Sequence, residues 1–517
     1  MLLLVTGALV GLSARTLAVD QVYSEAVVAP PGPSELSPLL SPSSPVAGAV
    51  GALADPGLLK MGPGGVPELA LASSWKSEDG GSRYAFTLPR GGRWSNGQPI
   101  TTRDVGFTLA VLQSPQFPNP MVADPWTGVS LYASSFWAGT FVLPGPAPNF
   151  PTTAELPILP AAHYQDQPAR YLRGGQRTTA DFPPSAGPFV VDGNSSGQVA
   201  LQRNSNFRPL PILAGFVIDL EPSPQVVAQL LARGRVDGSL VAISADLKGL
   251  PRGLMEQRMT SYSFVELLFN QAAAPLESLA VRQAIAAAIS RPKLISAGVG
   301  GLGVPQRGPL PESIRWAAPP LSALGPLPPP GRSLAKAGYL RASPDGGYSR
   351  AGRLLALTIS VPNLEPLPEA ATELAAMLAA QGIEVSVRVA PANSFVSGTL
   401  AQEKFQMALV GFDNGPSPDL TSFWGPSEVP GGSLNFSQAP ADPLLLQALD
   451  QLAAATRQST RQVAYQEVAR RLFVDMPAVF LYTPVAVYVH LASVHVPGVP
   501  SQGDPFQRFL DVARWSL

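Results

Sequence analysis

At 517 residues the chain is long enough for about three domains. With 45 % hydrophobic and only 14 % charged residues, it is too rich in core-forming side chains to be disordered. A formal net charge of −1 without a basic stripe excludes nucleic acid as a partner, and the absence of cysteine excludes disulfides, thiolate metal sites and lipid attachment through cysteine.

The first twenty residues, MLLLVTGALVGLSARTLAVD, are apolar or small from Met1 to Leu12, after which Arg15 interrupts. The run is shorter than the roughly 20 residues a membrane span needs, and it fits the apolar part of a signal peptide with Thr16-Leu17-Ala18 as a weak cleavage site. It lacks the positive charges that usually precede such a segment. A retained anchor and a buried helix are the other readings of residues 1–21.

Residues 22–29 are expected to form a strand, followed by a Pro/Ser-rich loop. In YAFTLPRGGRWSNGQPITTRDVGFTL, residues 84–109, Tyr84, Phe86 and Leu88 alternate in the period of a half-buried strand. Asn96-Gly97 offers the positive φ of a tight turn, Thr101 and Asp104 have capping-box spacing, and Val105, Leu109 and Leu112 share a helical face. Trp94 reads as a packing residue. Residues 143–160 are Pro-rich and read as an ordered loop, residues 187–203 as a hairpin, and residues 262–270 as a strand. Val281, Ile285 and Ile289 mark a helix that Pro292 ends or kinks.

Beyond a Pro-rich connector at 313–334 the pattern is regular: a strand at 354–361, a helix from Glu369 to Gln381 stopped by Gly382, and a strand in which Ile383, Val385, Val387 and Val389 alternate with polar residues. Strand, helix, strand with short joins predicts a βαβ unit and a parallel sheet. A strand at 405–412, helices near 442–455 and 460–474, and a strand at 478–490 complete the chain. There is no internal repeat.

Catalytic motifs find no support in their context. GVGGLG at 298–303 has dinucleotide-loop spacing but follows a helix, whereas the pyrophosphate-binding turn must lead from a strand into one. GNSSG at 193–197 matches the nucleophile elbow around Ser195 but sits where a hairpin tip is expected, and the only histidines are His163, His490 and His495. Without metal-ligand spacing these three predict structural or solvated roles, and no metal or other cofactor is expected. Asp413 and Asp419 are not an obvious acid/base couple.

Taken together the motifs resemble the extracytoplasmic solute-binding proteins of ABC peptide transporters, the oligopeptide- and dipeptide-binding family. The residues that carry the resemblance are PELALASSWKSEDGGSRYAFTLPRGGRWSNGQPITTRDVGFTLAVL (67–112), AGPFVV…LQRN, LLFN…VRQAIAAAISRPKLI, KAGYL and FQMALVGFDNGPSPDLTSFW. Each is weak alone; their number and order over about 22–500 carry it. The resemblance implies an α/β protein of two lobes facing each other across a cleft, with hinge strands between them and a third, inserted domain. By resemblance the first lobe comprises 22–45, 175–262 and 486–517, the inserted domain 46–174, and the second lobe 263–485. It also implies a non-enzymatic carrier that acts outside the cytoplasm as a monomer. It would deliver a small solute, by default a short peptide, to ABC permease subunits, meeting the membrane only through its N-terminus or the permease.

In peptide-binding members of the family, a carboxylate on the acidic, Pro-rich loop holds the peptide's α-amine. Here the loop reads Phe412-Asp413-Asn414-Gly415-Pro416-Ser417-Pro418-Asp419. Aligning Pro418-Asp419 with the family pattern puts Asn414 at the carboxylate position and Asp413 one residue earlier, on the opposite side of a strand. Either the register slips and Asp413 serves, or the ligand is neutral, blocked or not a peptide. Tyr262, Ser263 and Phe264 entering the second lobe, together with Phe412 and Trp424, complete the expected cleft residues. Low overall charge leans away from a highly charged ligand. The fold also leaves oligosaccharide, metal-chelate and haem ligands open, and a role as a membrane-anchored sensor; a hydrolase built on Ser195 is the remote alternative.

Overall fold

Alternating side chains build the strands, and the strands join in one long mixed sheet that both lobes share. The computed structural model describes residues 22–29, 35–41, 44–62, 65–173, 182–195, 197–241, 250, 252–311, 314, 326–341, 343, 346–413, 415, 420–425 and 434–517. The sheet runs in the order Glu384–Ala390, Ala356–Pro362, Met407–Asp413, Ser263–Phe269, Ala478–His490, Gly238–Val241, Val22–Val28, Gly215–Glu221, Gln198–Arg203 and Phe189–Asn194. The predicted βαβ unit is present: Ala356–Pro362 and Glu384–Ala390 pair in parallel, joined by the helix Leu367–Ala380. In the other half, Val22–Val28 lies parallel to both Gly215–Glu221 and Gly238–Val241.

The strand Ala478–His490 belongs to both halves. Its first part pairs with Ser263–Phe269 and its last part with Met255–Thr260 and Gly238–Val241. Met255–Thr260 and Ser263–Phe269 are consecutive in the chain, so two antiparallel segments cross together from one lobe to the other. They meet where Ser261 N–H donates to the Pro484 carbonyl at 3.2 Å. Proline offers no N–H there, so the ribbon is thinly bonded at its crossing point.

Each lobe buries both faces of its sheet. Along Ser263–Phe269, Val265, Leu267 and Phe269 pack into a core with the helices Leu279–Ala288 and Leu367–Ala380. Phe264 and Leu268 pack into a second core under Pro443–Ala454 and Gln458–Asp475. The first lobe's main core gathers Tyr23, Phe189, Phe216, Tyr488 and Trp515. A separate aromatic core, with Tyr84, Phe86, Trp94, Trp126, Phe141 and Phe150, fills a third body built on the antiparallel strands Ser74–Glu78, Arg83–Thr87, Ala138–Val142 and Ser130–Ser135.

That third body contains the 84–109 stretch. Gly97 has φ 85° in the Asn-Gly turn, and Trp94 is buried in the core. The Asp104 carboxylate accepts from Thr101 N–H at 2.8 Å and from Ala161 N–H at 3.0 Å, so it caps the helix Thr102–Leu112 and ties down a distant loop. Ser195 is exposed at the tip of the hairpin formed by Phe189–Asn194 and Gln198–Arg203, not at a strand-to-helix junction. GVGGLG leads from a helical turn into the short strand Gly303–Pro305. The helix Leu279–Ala288 ends before Pro292, which starts the next turn. The helix Pro45–Ala54 rises out of a Pro/Ser-rich region with no helical signature and packs into the first lobe's core. Residues 1–21 and most of the connector 313–334 lie outside the described residues.

Candidate functional site

The ribbon's crossing point is also where the three bodies meet. Tyr262 stands between the two consecutive strands, with its residue 2 % exposed and its ring in the second lobe's core. Its hydroxyl faces the Gly65 backbone of the third body and the Gln507 amide of the first lobe, but neither approaches with the geometry of a formed hydrogen bond. Ser263 follows, paired with Asp413 at the end of the strand Met407–Asp413.

The first lobe brings its C-terminal segment to the same place. Thr260 N–H donates to the Ser501 carbonyl at 3.0 Å, and Gly503 N–H donates back to the Thr260 carbonyl at 2.9 Å. Asp504 caps the following turn, accepting from Phe506 N–H at 2.7 Å. Gln507 folds over Gly503, where an added Cβ would lie 1.8 Å from Oε1; with φ 142° this position takes only glycine. From the third body, Glu155 arrives on a segment held by Leu59 N–H to the Ala154 carbonyl at 3.0 Å.

These placements bring carboxylates from all three bodies within range of one another's charge. Burial pushes Glu155 up to about 8, and Asp504 and Asp413 push in the same direction. Water still reaches the Glu155 side chain although protein surrounds it, as expected of a group inside an open cleft. Asp504 is pushed up to about 6, chiefly by burial and further by Asp413, against the Phe506 N–H and the Arg508 charge. Tyr262 rises to about 12 through burial, then Glu155, with Asp504 adding to it, so its hydroxyl is neutral.

Arg508, which acts on Asp504, is committed elsewhere. Arg508 forms an ion pair with Glu25 in which both side chains are 1 % exposed, and it lies 4.0 Å from the Phe509 ring centre. Beside it the Tyr23 and Tyr488 hydroxyls share a hydrogen bond of 2.5 Å. This buried cluster locks the turn Pro505–Arg514 against the strand Val22–Val28, and so holds Asp504 and Gln507 in place.

Of the residues expected from sequence, Asp413, Tyr262 and Ser263 come together here. Phe264 is wholly buried and Trp424 is 4 % exposed, both in the core behind the strand ends. Phe412 is half-buried, 6.1 Å from Phe264 and 5.2 Å from Phe423 between ring centres. Asn414, Pro418 and Asp419 lie outside the described residues. Glu155, Asp504 and Gln507 were not singled out by sequence, because nothing local distinguishes them. Among the described residues no cluster of His, Asp or Glu is arranged to hold a metal ion, and no helix is long and apolar enough to cross a membrane. His490 is buried between Gln257 and the Leu491 carbonyl, and burial lowers its pKa.

Two lobes sharing one sheet, with a pair of antiparallel segments crossing between them, make up the architecture. The sequence profile described as "Bacterial extracellular solute-binding proteins, family 5 Middle" matches residues 66–431, and the chain belongs to that family. It is 26 % identical over 424 residues to Protein XP55 of Streptomyces lividans, covering 80 % of this chain and 75 % of the relative. It is 23 % identical to the oligopeptide-binding protein AppA of Bacillus subtilis over 81 % of this chain and 78 % of that one. The AppA structure in complex with a nonapeptide superposes with a TM-score of 0.76 at 19 % identity, covering 96 % of this chain and 99 % of that one. A periplasmic oligopeptide-binding protein of Thermotoga maritima superposes with a TM-score of 0.80 at 20 % identity, covering 95 % and 98 %.

Proposed function

We propose that the protein binds a short peptide in the cleft between its lobes and hands it to ABC-importer permease subunits, without chemical change to it. The observation that carries this reading is that Glu155, Asp413 and Asp504, one from each body, lie within range of one another's charge at the crossing ribbon, with Glu155 and Asp504 also acting on Tyr262. Groups on separate bodies contact one ligand together only when the bodies close on it, so the ligand's binding energy goes into closure. Ser261–Tyr262 and Pro484 are the bending points we assign, with the third body beginning beyond Ala54. Asp413, Tyr262 and Ser263 face the ligand in this reading, while Phe264, Phe412 and Trp424 stiffen the wall behind them.

Peptide is the favoured ligand because a peptide carries an ammonium for the carboxylates and a backbone that is read without regard to sequence. Relatives support it: AppA holds a nonapeptide, and DppA of Helicobacter pylori holds the peptide STSA. The protein acts outside the cytoplasm as a monomer in this reading, with residues 1–21 serving export or anchorage. Native mass spectrometry of freshly purified protein tests it. Co-purifying short peptides of mixed composition are expected; a sugar, a metal chelate or a single blocked compound would overturn the peptide assignment.

A further inference from the structure

We infer that the second lobe carries a ligand site of its own, separate from the cleft, for a carboxylate with an apolar tail. Arg291 and Arg307 receive the carboxylate, and a cavity at the end of the helix Gln458–Asp475 receives the tail.

The first ground is the cavity. It measures about 340 Å³, the size of a small-molecule site. Leu472, Phe473 and Met476 line it from the end of the helix, and Val479 and Phe480 from the strand Ala478–His490. Apolar side chains around a void forgo contacts that a ligand's tail would restore. None of the residues placed at the crossing point lines this cavity. Phe480 stands four residues before Pro484 in the strand, about 13 Å away in extended chain.

The second ground is the use each arginine makes of its donors. A guanidinium has five N–H groups and no acceptor. Arg282, buried in the same lobe, spends its donors on the carbonyls of Leu276, Glu277, Asp475 and Met476 at 2.7, 3.2, 2.7 and 3.0 Å, which is a structural role. Arg291 differs. Its Nε donates to the Gln306 and Phe480 carbonyls at 2.8 Å each, and these two bonds fix the side chain at the cavity. Its two terminal nitrogens have no hydrogen-bond partner among the described residues and are not sealed from solvent. Arg307, exposed at the same cavity, forms no hydrogen bond or ion pair among the described residues. Burial, and then the Arg307 charge, push Arg291 down to about 10, and no carboxylate among the described residues acts on it. Arg291 is therefore still charged at pH 7 and lacks a counter-ion. Inorganic phosphate would answer the arginines and leave the apolar walls bare; an alcohol would cover the walls and leave the charges. A carboxylate with an apolar tail does both, and its two oxygens match the planar fork of a guanidinium.

The test is titration calorimetry of the full chain at pH 7 with decanoate, 4-phenylbutyrate, decanol and acetate, each kept below the concentration at which it self-associates. One decanoate or phenylbutyrate should bind per chain, at least about ten-fold more tightly than decanol, as one charge-assisted contact gives. The tighter of the two carboxylates identifies the tail as linear or aromatic. Acetate should give no saturable heat. Arg307→Gln touches an exposed, unbonded side chain, so it should leave the melting temperature without ligand unchanged and weaken the carboxylates about ten-fold. Ala286→Leu, on the helix Leu279–Ala288, places a larger side chain in the cavity and should abolish their binding. Arg291→Lys keeps the charge but loses the fork and should also weaken them about ten-fold. Where Ala286→Leu or Arg291→Lys melts early, Arg307→Gln alone decides. Absence of saturable binding, decanol binding as tightly as decanoate, or carboxylate affinity unchanged by Arg307→Gln overturns the site and leaves the reading of the cleft untouched.

Discussion

Glu25 and Glu155 are both carboxylates crowded by protein, one closed off from solvent and one still reached by it, and their surroundings answer in opposite ways. Glu25 is paired with Arg508, capped by aromatic rings, and closed off from solvent. Glu155 has two further carboxylates acting on it, and Arg508, which acts on Asp504, is already paired with Glu25. The contrast separates charge used to hold the fold from charge that the fold leaves without a counter-ion among the groups acting on it. It also explains why the two places are linked: the turn carrying Arg508 also carries Asp504 and Gln507, so the satisfied pair aims the unsatisfied groups.

The sharpest way to break the comparison is Arg508→Ala. It would strand Glu25 in the first lobe's core and should cost about 3–5 kcal/mol in denaturant unfolding, the usual penalty for orphaning a buried charge. A loss below about 1 kcal/mol would mean that the pair does not anchor the C-terminal turn. Glu266 tests the opposite case, a buried carboxyl with no cation. It is 1 % exposed, Oε2 has no hydrogen-bond partner, and burial alone pushes it up to about 8. A carboxyl raised from about 4.5 to about 8 contributes fully below pH 4.5, and that contribution fades as pH climbs through 8. Glu266→Gln should therefore raise stability by about 4 kcal/mol more at pH 9 than at pH 5, the pH 5–8 span being about three units at roughly 1.4 kcal/mol per unit. Melting curves at both pH values decide this, and equal effects at the two would refute it.

A third carboxylate, Asp104, is stabilised by backbone N–H groups rather than by a cation. Asp104→Ala removes the cap on Thr102–Leu112 and the bond to Ala161, and should cost about 2 kcal/mol. The loss should appear as earlier proteolysis within 84–165, and an unchanged cleavage pattern would count against it. The smallest effect has the opposite sign. Glu155→Gln relieves repulsion, so without ligand it should be neutral or more stable by less than about 1 kcal/mol at pH 8, solvent screening keeping the gain small. A clear destabilisation would place Glu155 with the structural charges.

Much of the fold was legible because its long segments repeat a period. Ile383 to Val389 and Ala478 to His490 read as strands from alternation and apolar run length, and they are strands. The helix Pro45–Ala54 was not legible. It contains Gly48 and Gly51, poor helix formers, and exists because the Phe506 ring packs where a Gly48 Cβ would be and Pro38 does the same at Gly51. That is a tertiary reason, invisible along the chain. The site was legible only in part for the same cause. Tyr262, Ser263 and Asp413 lie on strands whose pairing could be anticipated, whereas Glu155 and Asp504 are single acids in unremarkable loops, about 350 residues apart, that only the folded chain makes neighbours.

The strand Ala478–His490 ties the fate of the two lobes together. Its early residues complete the second lobe's sheet, its late residues complete the first lobe's, and the turn Pro505–Arg514 packs into the first lobe's core. Damage to this one strand therefore reaches both halves of the molecule at once, because each half loses a central member of its sheet.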